Sequence, residues 1–254
     1  MNLLMTSSRG VGIEGKIRDD VLEWGGLTTK VISGGTFSEL AEAAITLLPP
    51  PSHNSNTPHV YFLAGIPDAT TLLKDDNPGQ NYKEVILTKS EQELIDHLRL
   101  EIVTTSNRIR DAGGRPIFST ITNIDLTKYN TSLLKRGKTH ALQHQDSYDT
   151  MQTQLDNIFT QTNNFIVNHN RHNNVATPHC HSAIRKHKGR SGAGYYFTDY
   201  QMLYDGIHGG DKAKSLWAKA IKGAIKKNYD RFCEDFPSSP KRSWRGEKRG
   251  FHQV

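Results

Sequence analysis

Short apolar runs alternate with longer amphipathic segments over the first half of this 254-residue chain. Four runs have the length and composition of buried strands: NLLMTS, TTKVIS, HVYFLAG and RPIFSTIT. Segments with helical spacing separate them, among them IEGKIRDDVLEWGG, TFSELAEAAITLLPPP and SEQELIDHLRLEIVTTSNRIRDAGG. A helix between two strands of one sheet is a crossover connection, and crossovers make strands parallel. The alternation therefore predicts an α/β protein, a three-layer α/β/α sandwich with a mostly parallel central sheet.

The ends of these segments carry local signals that support the assignment. Thr36 is followed three residues later by Glu39, which is the pattern of a capping box at a helix start. The same helix is predicted to end at a run of prolines. The region from Tyr129 to Asn173 is polar with apolar residues at helical spacing, so further helices are expected there.

Basic residues concentrate at the C-terminal end. The chain has a formal net charge of +6, and the segment from Lys226 to Val254 alone contains eight Lys and Arg against four Asp and Glu. This distribution predicts a domain over residues 1–228 and a flexible basic tail over residues 229–254. Basic side chains beside aromatic residues are typical of single-stranded nucleic-acid contacts. The candidates are Arg185, Lys186, Lys188, Arg190, Lys241, Arg242, Arg245, Lys248 and Arg249.

Cysteine content and hydropathy indicate the cellular compartment in which the protein is expected to act. Cys180 and Cys233 are the two cysteines and form no Cys-x-x-Cys pair, which favours a reducing environment. The first residues lack the apolar core of a signal peptide, and no segment approaches the ~20 apolar residues of a membrane span. We expect a protein without a membrane span that acts inside the cell, in the cytoplasm or nucleus.

Small and polar residues follow three of the predicted strands, at the edge where parallel sheets collect function. Ser8 lies in TSSRGVG at a strand-to-helix turn, where a hydroxyl and neighbouring N–H groups face outward. Gly34 and Gly35 follow the second strand, and glycine lets backbone N–H groups approach a ligand closely. Near the C-terminal end, Asp205 precedes His208 by three residues, a spacing that lets a carboxylate orient an imidazole. Together these residues indicate acyl-transfer chemistry with a nucleophile, a base and an orienting acid.

Four blocks in this order resemble those of the SGNH, or GDSL-like, hydrolase family, over about Asn2 to Asn228. In TSSRGVG, Ser8 aligns with the family's nucleophile and Gly12 with the glycine four residues later. The second block falls on Gly35, the third on GIPD from Gly65 to Asp68, and the last on Asp205 to His208.

The resemblance implies a flavodoxin-like sandwich and a cofactor-free hydrolase of a small ester or acylated substrate. Ser8, His208 and Asp205 would be catalytic, and the N–H groups of Ser8 and Gly35 would form the oxyanion hole. Gly65, Pro67 and Asp68 would lie at the substrate rim.

The third block departs from the family pattern at Pro67. The family has an asparagine there, whose side-chain amide donates to the oxyanion, and proline has no such donor. Thr6 and Ser7 also replace the Gly-Asp that precedes the nucleophile. Loss of one oxyanion donor costs ~10²–10³ in rate, so the sequence predicts a serine ester hydrolase of low activity.

The alternative is a catalytically degenerate SGNH-like module that binds single-stranded nucleic acid. The sequence looks like the SGNH domains encoded by mobile elements in animal genomes, and its outline is similar to the RNA-binding, non-catalytic SGNH-like domain of Oskar. Pro67 and the basic tail favour this alternative, whereas the intact Ser8, Asp205 and His208 favour hydrolysis.

Three further features of the sequence are a stretch rich in His and Cys, a long insert and two tryptophans. His and Cys residues from His169 to His187 fit no standard zinc spacing, so no metal site is expected. The long insert after the third strand, PDATTLLKDDNPGQNYKEVI, is predicted to form a rim or lid, with Asp68 capping the turn that follows it. Trp24 and Trp217 are predicted to be packing residues.

Overall fold

The computed structural model describes residues 1–50, 57–74, 82–189 and 195–235. In these segments the strands are β1 Asn2–Thr6, β2 Thr28–Val31, β3 His59–Leu63, β4 Thr71–Lys74, β5 Lys83–Ile86, β6 Arg115–Phe118, β7 Arg185–Lys188 and β8 Tyr195–Thr198. Within this described part, four strands form a parallel sheet in the order β2-β1-β3-β6. Leu3 of β1 aligns with Thr28 of β2 and Val60 of β3. The four strands predicted from the sequence are therefore confirmed, and so is their parallel arrangement.

The helices are α1 Glu14–Ile17, α2 Phe37–Leu47, α3 Ile66–Ala69, α4 Glu91–Asp111, α5 Leu126–Lys135, α6 Tyr148–His172, α7 Cys180–Ala183 and α8 Asp211–Asp235. Thr36 and Glu39 form the predicted capping box at the start of α2. The first predicted helix is shorter than expected, because the chain after Arg18 tightens into a 3-10 helix over Asp19–Trp24. Ile17 and Val21 both pack into one apolar cluster.

Alternate residues of the sheet pack into two different layers. Leu3 and Met5 of β1 join α2, α4 and α6 in one apolar cluster. Leu4 points to the opposite face and packs with α1, α7 and α8 in the second cluster. This division gives the three-layer α/β/α sandwich that the sequence predicts. Trp217 is fully buried and Trp24 packs against the same cluster, so both are packing residues as predicted.

Two antiparallel hairpins stand apart from the main sheet. β4 pairs with β5 inside the insert that follows β3. β7 pairs with β8, so Arg185, Lys186 and Lys188 lie on a strand. Aromatic side chains support this pairing, because the His187 and Tyr196 rings pack at a centroid distance of 5.0 Å.

Helix α8 continues to Asp235, past residue 228 where the sequence predicts the domain to end. Asn228 is itself buried, and its side chain bonds the backbone N–H of Ala176 and the hydroxyl of Tyr61. Residues 236–254, which include most of the predicted tail, lie outside the described residues. No helix in the described segments has the length and hydropathy that crossing a membrane requires.

Candidate active site

Ser8 lies in a short 3-10 turn directly after strand β1. The turn spans Ser8–Gly10, and Ser7 precedes it in an extended conformation. A Cβ atom on Gly10 would lie 2.1 Å from Thr6 Cγ2, so only glycine permits the chain to fold back this closely. The sharp turn leaves Ser8 half-buried at the carboxyl edge of the sheet.

Asp205 and His208 lie in a tight loop that is closed by backbone hydrogen bonds. Tyr204 N–H donates to the His208 carbonyl at 3.0 Å, and Leu203 and Gly209 form a β-bridge. At Gly206 the φ angle is +94° and a Cβ would lie 2.4 Å from the Asp125 carbonyl oxygen, so glycine is required for two reasons. Asp125 N–H donates to the Gly206 carbonyl at 2.8 Å and ties this loop to the start of α5.

The structure brings the three predicted catalytic residues together. Ser8 Oγ lies 2.8 Å from His208 Nε2, and His208 Nδ1 lies 2.8 Å from Asp205 Oδ2. An imidazole that donates from Nδ1 to a carboxylate presents Nε2 as an acceptor, which suits the Ser8 hydroxyl. The Tyr204 ring stacks on His208 with centroids 5.7 Å apart and restricts the imidazole from one side.

Asp205 is held in its ionised form. Burial alone would raise the pKa of this carboxyl, but hydrogen bonds from the His208 ring and backbone and from Ile207 N–H outweigh it and lower the pKa to about 2. The exposed guanidinium of Arg136 approaches Asp205 Oδ2 at 3.7 Å. The carboxylate is therefore negative over the whole neutral range and favours a proton on His208 Nδ1.

Arg9, which follows Ser8, is a buried cation that sequence reasoning did not single out. Its guanidinium donates to the carbonyls of Thr122 and Asn123 at 3.0 and 3.1 Å and lies over the Trp217 ring. Burial lowers its pKa to about 9, although Asp205 acts in the opposite direction. The side chain thus fastens the Ser8 turn to the loop that continues to Asp125, and Asp125 in turn contacts the histidine loop.

The second strand presents Gly34, and not Gly35, to the site. Gly35 is buried and its N–H donates to the Ile32 carbonyl at 3.0 Å, so this group is already used in a turn. Gly34 has φ +71° and lines the cavity beside Ser8. The N–H groups of Ser8 and Gly34 donate to no acceptor within the described segments. The Gly35 N–H is therefore not free to act as the predicted oxyanion donor, and the glycine that lines the cavity is Gly34.

A cavity of about 570 Å³ opens at Ser8 and His208. Its wall combines residues from the β4–β5 hairpin with residues around α3 and the histidine loop, so the insert forms a rim as predicted. The apolar part of the wall consists of Ile66, Pro67, Leu72, Val85 and Ile207. The polar part includes Ser7, Ser33, Thr36, Glu39, Thr70 and Lys74.

Of the three expected rim residues, Pro67 lines this cavity, and Gly65 and Asp68 are buried behind it. Asp68 accepts hydrogen bonds from Phe37 N–H at the start of α2, with 3.1 Å for the shorter contact. The expectation that Asp68 caps the turn after it is therefore wrong, because its carboxylate accepts from the N-terminus of a different helix, α2. Burial raises the pKa of Asp68 to about 7 despite this hydrogen bond.

The predicted nucleic-acid residues are only partly described. Arg185, Lys186 and Lys188 lie on β7 beside the exposed aromatic side chains of β8, and Lys186 pairs with Asp199 at 2.6 Å. The remaining candidates lie outside the described residues: Arg190, Lys241, Arg242, Arg245, Lys248 and Arg249. Across the segments that are described, no three His, Cys, Asp or Glu side chains converge as metal ligands.

Comparison with solved structures shows that the chain has an SGNH/GDSL-like fold. The chain is similar to the crystal structure of a GDSL-like lipase from Bacteroides thetaiotaomicron, with 15% identity, a TM-score of 0.53, and coverage of 89% of this chain and 87% of that one. It is similar to the same degree to a protein from Bacteroides fragilis described as a candidate acylhydrolase, with 15% identity, a TM-score of 0.53, and coverage of 90% and 87%. No protein-family model and no curated protein sequence matches the chain.

Proposed function

We propose that this protein is a serine ester hydrolase of low activity. The observation that carries the proposal is the 2.8 Å contact between Ser8 Oγ and His208 Nε2, with Asp205 on the opposite ring nitrogen. Nucleophile, base and orienting acid in hydrogen-bond reach are the arrangement that activates a serine for acyl transfer. The fold similarity to proteins described as a lipase and an acylhydrolase is consistent with this chemistry.

In the proposed reaction, Ser8 Oγ attacks the acyl carbonyl and His208 Nε2 takes the hydroxyl proton. The negative oxygen of the tetrahedral intermediate accepts hydrogen bonds from the N–H groups of Ser8 and Gly34. His208 then gives its proton to the departing alcohol, which leaves an acyl group on Ser8. Water activated by His208 attacks this acyl group, releases the acid and restores Ser8. Asp205 keeps the imidazole oriented and stabilises its charged form throughout.

The cavity wall supports a small substrate with an apolar acyl part. Leu72 and Val85 from the hairpin line a cavity of about 570 Å³ together with Ile66 and Ile207. Pro67 lies where the family supplies an amide donor, and it has neither a side-chain donor nor an N–H. We therefore expect turnover about 10²–10³ below that of an enzyme with a complete oxyanion hole.

The test is hydrolysis of short-chain p-nitrophenyl esters by the full chain. Ser8→Ala and His208→Ala should each reduce kcat to background, since the two residues act as one unit. Ser7→Ala is the matched control, because Ser7 lines the same cavity but lacks the contact with His208, and it should retain activity within about threefold. A fluorophosphonate probe should label Ser8 alone. Equal residual rates for wild type and Ser8→Ala would refute the proposal.

A second candidate function, binding of single-stranded nucleic acid, is favoured by the β7–β8 hairpin. Tyr195, Tyr196 and Phe197 are exposed, and the Arg185 guanidinium lies over the Tyr196 ring at 5.6 Å. Exposed aromatic rings among cations suit base stacking and phosphate contacts. This role is compatible with hydrolysis, since none of these residues lines the Ser8 cavity.

Fluorescence anisotropy with a labelled single-stranded oligonucleotide tests this second function. Tyr195→Ala with Phe197→Ala should weaken binding, whereas Leu100→Ala, which also removes an exposed apolar side chain, should not. Removal of the tail should be made after Asp235, because a cut at Asn228 would truncate α8 next to its buried asparagine. Binding that is unchanged in the hairpin variant and in the truncated chain excludes both elements as the binding surface.

A further inference from the structure

A second concave surface, the basic pocket, lies away from the Ser8 site. It has a volume of about 290 Å³ and lies between the C-terminal end of α6, the loop that follows it, and the last turns of α8. It shares no lining residue with the Ser8 cavity. Its polar and charged lining residues are Arg171, Asn174, Thr177, His179, Lys227 and Arg231.

The charges of the basic pocket are unbalanced. Arg171, Lys227 and Arg231 line it together, and no Asp or Glu does. In the described part of the chain, none of these three cations forms an ion pair with a carboxylate. Neighbouring lysines of the same helix behave differently, since Lys222 pairs with Asp20 and Lys226 with Asp230. Like charges that converge without a counter-charge repel each other, and a bound anion removes that repulsion.

Two buried asparagines hold the floor of the basic pocket in place. Asn170 of α6 accepts from Val175 N–H through its carbonyl, and its side chain donates to the Thr177 hydroxyl at 3.1 Å. Asn228 of α8 accepts from Ala176 N–H at 2.6 Å through its side-chain oxygen. Because each helix fastens the same short loop, the loop backbone between the three cations is held in place before a ligand binds.

The loop also supplies neutral donors. Thr177 Oγ accepts from Asn170, which leaves its own hydroxyl proton free to donate to a ligand. Asn174 also lines the pocket, and it is the only non-glycine residue of the described segments with a positive φ angle, at +52°. The last carbonyls of α6 are occupied by the N–H groups of Asn173, Asn174 and Val175, so they do not compete for the cations.

From this combination we propose that the basic pocket binds the terminal phosphate group of a ligand. A terminal phosphate presents three oxygens and close to two negative charges, which matches several converging donors. Guanidinium groups form paired hydrogen bonds with phosphate oxygens, and Lys227 adds a point charge. A volume of about 290 Å³ holds the phosphate with an adjoining part of its carrier. The carrier is either a small phosphorylated metabolite or the 5′ end of a nucleic acid.

Calorimetric titration of the full chain with inorganic pyrophosphate tests the phosphate site directly. Arg231→Gln should weaken binding about tenfold, the worth of one charge-assisted contact, and Thr177→Val should weaken it less. Lys212→Gln is the matched control, because it removes one exposed positive charge from the same helix outside the pocket, and it should change the affinity less than about twofold. Amide NMR shifts should centre on Val175 to Thr177. Equal losses in Arg231→Gln and Lys212→Gln, or shifts spread over the surface, would show nonspecific attraction and overturn the proposal.

Two single-stranded oligonucleotides that differ only at the 5′ end distinguish a nucleic-acid end from a small phosphorylated metabolite as the carrier of the phosphate. A 5′-phosphorylated oligonucleotide that binds more tightly than pyrophosphate, and loses that advantage in Arg231→Gln, identifies a nucleic-acid end as the ligand. Pyrophosphate binding that the oligonucleotide does not improve identifies a small phosphorylated molecule. If 5′-phosphate and 5′-hydroxyl oligonucleotides bind equally and pyrophosphate does not bind, the pocket does not recognise a terminal phosphate. Ester hydrolysis should be unchanged in all three variants, since the two cavities are separate.

Discussion

Two buried carboxylates at the same edge of the sheet have opposite pKa shifts. The pKa of Asp205 is lowered to about 2, and that of Asp68 is raised to about 7. Both are buried and both accept hydrogen bonds from backbone N–H groups. Burial therefore does not by itself decide whether a carboxylate in this protein is charged.

The difference lies in the number of donors and in the neighbouring charges. Asp205 receives bonds from Ile207 N–H, His208 N–H and the His208 ring, and it lies near Arg136. Burial is the largest cause that raises the pKa of Asp68. The hydrogen bond from Phe37 N–H opposes it, and the charges of Glu101 and Glu39 raise the pKa further. The first environment stabilises a permanent negative charge beside a histidine. The second tolerates a carboxyl group that is close to half-protonated at neutral pH.

The largest effect is expected at Asp205. Asp205→Asn keeps the shape but presents an amide that no longer stabilises a proton on His208 Nδ1, so kcat for p-nitrophenyl acetate should fall about 10³–10⁴-fold. Asp211→Asn makes the same change at an exposed residue just after the loop and should leave kcat within about twofold. Activity of Asp205→Asn within tenfold of wild type, in a protein with unchanged circular dichroism, would contradict the role given to this carboxylate.

At Asp68 the expected effect is on stability and its pH dependence. The folded pKa of about 7 lies above the ordinary value of 3.8, so between these values the folded chain holds a proton that the unfolded chain has released. The free energy of unfolding should therefore fall as pH rises from about 4 to 7. Asp68→Asn removes this dependence. Relative to wild type, its free energy of unfolding should increase by on the order of 2–4 kcal/mol as the pH rises from 4 to 8.

Urea unfolding at several pH values measures this change, with the exposed Asp19→Asn as control. Asp205 contributes with the opposite sign, because its folded pKa of about 2 lies below 3.8 and its stabilisation is lost only as pH falls through that range. Parallel pH curves for wild type and Asp68→Asn would mean that Asp68 stays ionised in the folded state.

Next to Asp68, Pro67 is expected to limit turnover. Pro67→Asn introduces an amide donor at the cavity wall and should raise kcat by about 10–10²-fold with little change in KM, since the donor acts on the transition state. Pro67→Ala removes the ring without adding a donor and controls for a change in backbone freedom. Equal gains in the two variants would assign the effect to the backbone, and no gain in a folded Pro67→Asn would show that this position does not face the oxyanion.

The smallest effect is expected at Arg136. Its guanidinium lies 3.7 Å from Asp205 Oδ2 and its side chain is 47% exposed, so water and salt screen the interaction. Arg136→Met should lower kcat by less than about threefold at physiological ionic strength, with the adjacent Lys135→Met as control. The expectation would be contradicted if Arg136→Met lowered kcat more than tenfold and if high salt lowered the kcat of wild type equally. Arg136, and not only the hydrogen bonds of the loop, would then hold Asp205 ionised.

Much of the fold could be predicted from local patterns. Four apolar runs separated by amphipathic segments correspond to β1, β2, β3 and β6, and the Thr36 and Glu39 pair marks the start of α2. The pairing of Asp205 with His208 was likewise predictable, because three residues in a closed loop bring a carboxylate to its own histidine. The positions of the hairpins and the end of α8 depended on packing partners that periodicity does not identify.

What the sequence by itself determined was the order of strands and helices and the chemical types at the strand ends, because backbone preferences and apolar periodicity act over a few residues. Tertiary structure alone decided which groups meet. It placed Ser8 against His208 across 200 residues, turned Gly34 instead of Gly35 toward the cavity, and bonded Asp68 to Phe37. It also buried Arg9 beneath the nucleophile and brought Arg171 and Arg231 to one pocket. These contacts depend on how distant elements pack and on which N–H groups remain unpaired after packing, and neither is encoded in a local pattern.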